Sequence, residues 1–179
     1  PDKDLIQKIA ALLEEAIKVD SKNHVPYANL LQAYARLNKP KEYVDTLNAL
    51  INNVPDYPEG YRMAGIFLVG NKRNEEAIPY IEKAVELYTG LTGNKYPELI
   101  PNKNILLADS YALEITNYVD LGRHQKAIDL FVTRRAAIKN VSQDAEAKLL
   151  ETVKKSNDSF NKSATKKIYD ANLKKLGIK

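Results

Sequence analysis

Apolar residues recur along the first half of the chain at steps of three and four. Leu5, Ile6, Ile9, Leu12, Leu13, Ala16 and Ile17 form one such series. Tyr27, Leu30, Leu31 and Tyr34 form a second, and Tyr43, Val44, Leu47, Leu50 and Ile51 a third. A period near 3.6 predicts helices with one oily stripe each. Each predicted helix is short and would be marginal alone, so its stripe has to be buried on a neighbour. No long alternating Val/Ile/Thr run argues for strands. Turn residues break the pattern where helices should start and stop. Pro26, Pro40 and Pro58 suit first helical positions, Asn74 suits a cap, and Gly70 and Gly122 suit helix ends. Pro79 falls about one turn inside a predicted helix and should cost it one hydrogen bond.

The pattern also repeats. Tyr27 and Tyr61 stand 34 positions apart, and Tyr27-x2-Leu30-Leu31-x2-Tyr34 is followed by Tyr43, Leu47 and Pro55. The second unit reads Tyr61-x2-Ala64-Gly65-x2-Leu68, then Ala77, Ile81 and Ala84. The third reads Tyr111, Ile115, Tyr118, Gly122, Ala127 and Phe131. These motifs resemble the tetratricopeptide repeat (TPR), whose period is about 34 residues and whose signature is Trp-x2-Leu-Gly-x2-Tyr followed by Ala, Phe and Pro. The segment "NEEAIPYIEKAVEL" (74–87) resembles the second helix of such a repeat.

The resemblance implies an all-α fold, a right-handed superhelical stack of antiparallel helix hairpins forming one domain over 1–179. Residues 4–19 would be the second helix of a truncated repeat. Repeats would follow over 25–54, 58–88 and 104–139, with capping helices over 142–176. The insertion 89–104 carries two Gly and two Pro and reads as a loop. In the third unit a small position falls on Arg134. Either the helix shifts register onto Ala136 and Ala137, or the repeat ends differently.

The resemblance further implies a protein–protein interaction scaffold that holds a partner peptide or protein in a concave groove. The first helix of each pair would line it. Asn29, Gln32, Arg36 and Arg62 could hydrogen-bond an extended backbone or a carboxylate. Met63 and Ile66 could take an apolar side chain, and Thr116 would join them. TPR co-chaperones grip the C-terminal tails of heat-shock chaperones with Lys, Asn and Arg. The matching places here hold Ala28, Gln32, Met63, Asp109 and Leu113, so no binding of that tail is expected. Of the eleven Tyr, those at 57, 80, 88 and 96 fall off the repeat-core positions and are the freer ones.

Charge adds one alternative. The net +4 is uneven: residues 1–133 carry 15 basic and 18 acidic side chains, residues 134–179 carry 12 and 5. Lys154, Lys155, Lys162, Lys166, Lys167, Lys174 and Lys175 could meet nucleic acid or an anionic surface. Aromatic interleaving is limited to Phe160 and Tyr169, so a solvated helix face and a protein partner are the preferred reading. The array could also be an accessory or oligomerisation domain of a longer chain.

No chemistry is encoded by motif, and no catalytic residue, metal ligand or cofactor is nominated. There is no Cys, so disulfides and thiolate ligands are excluded. His24 and His124 lie 100 residues apart without ligand spacing and read as turn residues. Glu75/Glu76, Asp109/Glu114 and Asp144/Glu146 pair in sequence only. No phosphate loop, dinucleotide fingerprint or nucleophile elbow is present. No run approaches a membrane span, so a soluble protein is expected, cytoplasmic or exported.

Overall fold

The computed structural model describes residues 2–93, 95–160 and 166–178, with backbone only at Phe160, Lys166 and Lys167. The described residues are helical, without strands. In order they are α1 (Lys3–Val19), α2 (His24–Leu37), α3 (Pro40–Asn53), α4 (Pro58–Gly70), α5 (Asn74–Gly90), a 3-10 helix (Pro97–Asn102), α6 (Lys103–Asp120), α7 (His124–Val141), α8 (Gln143–Phe160) and α9 (Lys166–Leu176). They form two compact units, residues 1–64 and 65–179, divided within α4.

In the first unit α2 packs against both α1 and α3. Ile6, Ala10, Leu30, Ala33 and Tyr34 form one buried cluster, flanked by Leu13, Ile17, Leu37 and Tyr43. Leu31, Leu47 and Leu50 are also buried. The Tyr27 hydroxyl donates to the Ser21 carbonyl at 3.2 Å and accepts from the Asn53 amide at 2.9 Å, tying α2 to the end of α3. The stripe expected on α1 is only partly used: Ile6 and Ala10 are buried, but Leu5, Ile9 and Leu12 are exposed.

In the second unit Leu68, Ala77 and Ile81 form one cluster. Gly65 supports it. A Cβ there would sit 2.6 Å from the Ile81 Cγ1, so the close helix approach expected at this position is real. A larger cluster joins α6, α7, α8 and the end of α9 through Ile115, Ile128, Phe131, Ile138, Val153 and Leu176.

The hairpins share one turn. Asn38, Lys72 and Gly122 all have positive φ, of 55°, 61° and 68°. The next amide in each case bonds back to the carbonyl five residues earlier: Lys39 to Tyr34 at 3.0 Å, Arg73 to Leu68 at 2.9 Å, Arg123 to Tyr118 at 2.9 Å. This is the Schellman closure of a helix C-terminus. Its spacing, 34 then 50 residues, is that of Tyr27, Tyr61 and Tyr111, so the repeat read in side chains is present in the backbone.

Several local expectations are corrected. Gly70 is the last residue of α4, and Lys72 takes the left-handed position instead. Asn74 is the first residue of α5 rather than its cap, which falls on Arg73. Pro26 is the third residue of α2, because Asn23 caps the helix through the Val25 amide. Pro79 lies inside α5, which nevertheless runs 17 residues. The insertion is not wholly a loop: it contains the 3-10 helix, buries Leu91, Tyr96 and Leu99, and is fastened by the Lys103 ammonium donating to the Leu91 carbonyl at 2.7 Å. Tyr57, Tyr88 and Tyr96 are buried rather than free. Each histidine opens a helix instead of lying in a turn. His24 packs its ring 4.4 Å from that of Tyr57, and His124 Nδ1 meets the Ser156 hydroxyl.

Arg134 does not force a register shift, since Ala136 and Ala137 are exposed. It lies three residues after Phe131 and four before Ile138, on the buried stripe of α7. Its guanidinium pairs with buried Glu114 of α6 and covers the Tyr111 ring, 4.5 Å from its centroid. Burial holds its pKa below the usual arginine value. An ion pair and an aromatic face thus replace the small residue. Removing one partner leaves the other charge buried, so R134A should cost about 3 kcal/mol. The apolar pair E114L/R134M should cost far less, as chemical denaturation of both variants will measure.

Candidate functional site

The inward face of α2 is set by Tyr27, Leu30, Leu31 and Tyr34. Asn29, Gln32 and Arg36 recur at steps of three and four on another face, and all three are exposed. With Ile6, Ile9 and Leu13 of α1 and with Ala33, they line a hollow of about 220 Å³. Its floor is aliphatic, and its wall carries two amides and a guanidinium. Arg36 has no carboxylate partner among the described residues, so it can meet an incoming acceptor without breaking a bond. Sequence reasoning missed the α1 floor. The available signal was the width of the α1 stripe, which holds more apolar positions than one neighbour can cover.

The other nominated residues are placed differently. Arg62 is half-buried on α4, and Glu59 of the same helix holds it, with the Nε to Oε2 bond at 2.9 Å. Met63 is half-buried beside it. Ile66 and Thr116 belong to the second unit. Ile66 is exposed, whereas the Thr116 hydroxyl is bonded to its own helix, at 2.9 Å from the Ala112 carbonyl. The structure therefore joins Asn29, Gln32 and Arg36 in one hollow and does not add the other four to it.

A second hollow of about 380 Å³ opens among α1, α2 and α3. Ile17, Leu30, Ala49 and the Tyr27 ring supply its apolar wall, and Glu14, Glu42, Asp45 and Lys18 its charge. The Tyr34 hydroxyl donates to Glu14 inside it. In the second unit a hollow of about 420 Å³ lies between the start of α6 and the end of α7, lined by Ile105, Leu107, Ala108 and Val141 among others.

Several of the acidic residues paired in sequence have ionic partners instead. Glu75 binds Arg123, Glu76 binds Arg73, and Glu146 binds Arg135. Among the described residues no three His, Asp or Glu side chains gather as a metal site would. At the basic end Lys155 is paired with Glu151 and Lys175 with Asp129, which lowers the free positive charge there. Lys154 and Lys174 are exposed. Lys162 and the side chains of Lys166 and Lys167 lie outside the described residues. No described helix is long and apolar enough to cross a membrane.

The solved structures that match most of this chain include the following three. The first is YrrB, described as a TPR protein with an unusual peptide-binding site, at 17% identity and TM-score 0.64, covering 97% of this chain and 77% of that one. PilW, a widely conserved type IV pilus biogenesis factor, matches at 17% identity and TM-score 0.56, over 96% and 79%. MamA matches at 17% identity and TM-score 0.51, over 86% and 89%. The fold is thus a TPR-like helical solenoid. No family model matches the sequence, and no curated protein does.

Burial, then the hydrogen bond to Glu14, then the nearby Glu14 and Glu42 carboxylates raise the Tyr34 pKa well above the usual phenol value. A raised folded-state pKa means that the folded chain holds the proton longer than the unfolded one. The contribution is complete below the unfolded phenol value of about 10 and is lost as pH rises through the folded value. Urea unfolding from neutral pH upward should show stability falling above pH about 10, and Y34F should make that fall shallower. Some slope will remain, because Tyr118 is shifted the same way by burial and Glu82.

Proposed function

We propose that the chain is a protein-binding scaffold that receives a partner peptide in the α1–α2 hollow. One observation carries this reading: Asn29, Gln32 and Arg36, which has no carboxylate partner among the described residues, stand over an aliphatic floor in a concavity wide enough for a side chain. Amides can bond both the N–H and the C=O of an extended backbone, and a guanidinium can hold a carboxylate bidentately. The aliphatic floor favours an apolar side chain, whose burial supplies affinity. The likeness to TPR-fold proteins, one of them described as having a peptide-binding site, supports a binding role. The same reading keeps Arg62, Met63, Ile66 and Thr116 as contacts on the first helices of the later repeats. It assigns no catalysis.

A peptide-display selection against the full-length chain tests it. Selected peptides should perturb the NMR signals of Ile9, Leu13, Asn29, Gln32 and Arg36. The double variant Q32A/R36A should weaken them about thirtyfold or more, one charge-assisted contact and one neutral one being lost. A heat-shock chaperone C-terminal peptide should not bind in the same titration. Selected peptides that perturb other residues and bind Q32A/R36A unchanged would refute the assignment.

A further inference from the structure

The outer face of α1 is apolar and uncovered. Leu5, Ile9, Leu12 and Val19 are 55%, 43%, 71% and 89% exposed, and Ala16 between them is exposed as well. Their spacing is four, three, four, three. That is the a/d alternation of a helix seam, held from Leu5 to the last residue of the 17-residue helix. Leu5 to Val19 spans roughly 21 Å at 1.5 Å per residue. The buried side of α1, with Ile6, Ala10, Leu13 and Ile17, points elsewhere. The helix therefore has two apolar faces, and the first unit covers only one.

A seam of this spacing fits another α-helix, because knobs at a and d positions insert between residues three and four apart on the facing helix. The charges beside the seam select which helix. Lys8 and Glu15 flank Ile9 and Ala16 at equivalent positions one heptad apart. If a second α1 lies antiparallel on the first, Lys8 of each copy faces Glu15 of the other, and Leu12 packs near the two-fold axis. In a parallel arrangement each copy's Lys8 would face Leu13 of the other and Glu15 would face Asp20, so the Lys8–Glu15 pairs would not form.

We propose that α1 is a self-association surface, on which a second copy of this chain docks its own α1 antiparallel through Leu5, Ile9, Leu12, Ala16 and Val19. The contact is isologous, so it closes at two copies. Lys18 already donates to Glu15 at 2.7 Å on the exposed helix surface, and that pair yields or shares its carboxylate with Lys8 of the other copy. Ile9 also edges the peptide hollow, so the docked helix would border that hollow. The proposal stands independently of peptide binding.

Sedimentation equilibrium of the full-length chain, from about 5 to about 500 µM because an interface this small is weak, gives the test. The chain should shift from monomer to dimer with concentration. L12E changes a side chain that is largely in solvent and should leave the circular dichroism spectrum intact while abolishing the dimer. K8E and E15K should each weaken it several-fold by placing like charges together, and K8E/E15K should restore it. A monomer at every concentration would overturn the proposal. So would a dimer indifferent to L12E, which would lie on another surface, or single charge variants without effect, which would exclude the antiparallel arrangement.

Discussion

The structure depends on closing short helices into hairpins so that each stripe finds a partner. Helices of 13 to 18 residues, such as α2, α4 and α6, are marginal alone. Pairing gives the buried face a neighbour, and a turn of two or three residues sets where the second helix begins. At Asn38, Lys72 and Gly122 that turn requires a left-handed residue. Glycine takes this conformation freely, asparagine is tolerated and lysine is strained. The sequence varies at this point while the backbone does not, because packing on both sides over-determines the turn.

That explains which parts of the fold could be read in advance. Stripes with one buried face, such as Tyr27–Leu30–Leu31–Tyr34, announced their helices through periodicity. Gly65 announced a close approach because only a missing side chain fits there. The turns were less legible. Asn38 and Lys72 carry no glycine signal, and Gly70 supplied a misleading one two residues too early. Arg134 was opaque for another reason. A long cation can take a small residue's place when Glu114 and the Tyr111 ring meet it, and those partners lie far away in sequence. The 3-10 helix was hidden by its prolines, which read as breakers although Pro97 begins that helix.

The candidate site was legible in half. Family resemblance supplied Asn29, Gln32 and Arg36 from α2, and the structure brings them together. The aliphatic floor from α1 was visible only as excess hydrophobicity, since periodicity does not say which of two apolar faces will be covered. The same excess marks the outer seam of α1. One helix thus supports three surfaces: the core with α2, the hollow beside Asn29 and Arg36, and the uncovered face. They are neighbours around the helix and share residues at their borders: Ile6 and Leu13 belong to both core and hollow, and Ile9 to both hollow and outer face.

Native-state amide hydrogen exchange at Lys39, Arg73 and Arg123 tests the hairpin account most directly. These amides close the three equivalent turns. All three should exchange far more slowly than unstructured amides, Arg73 included even though its turn is carried by lysine. Exchange of any of them at the rate of an unfolded chain would show that its turn is not closed, and would contradict the repeat on which the placement of the hollow rests.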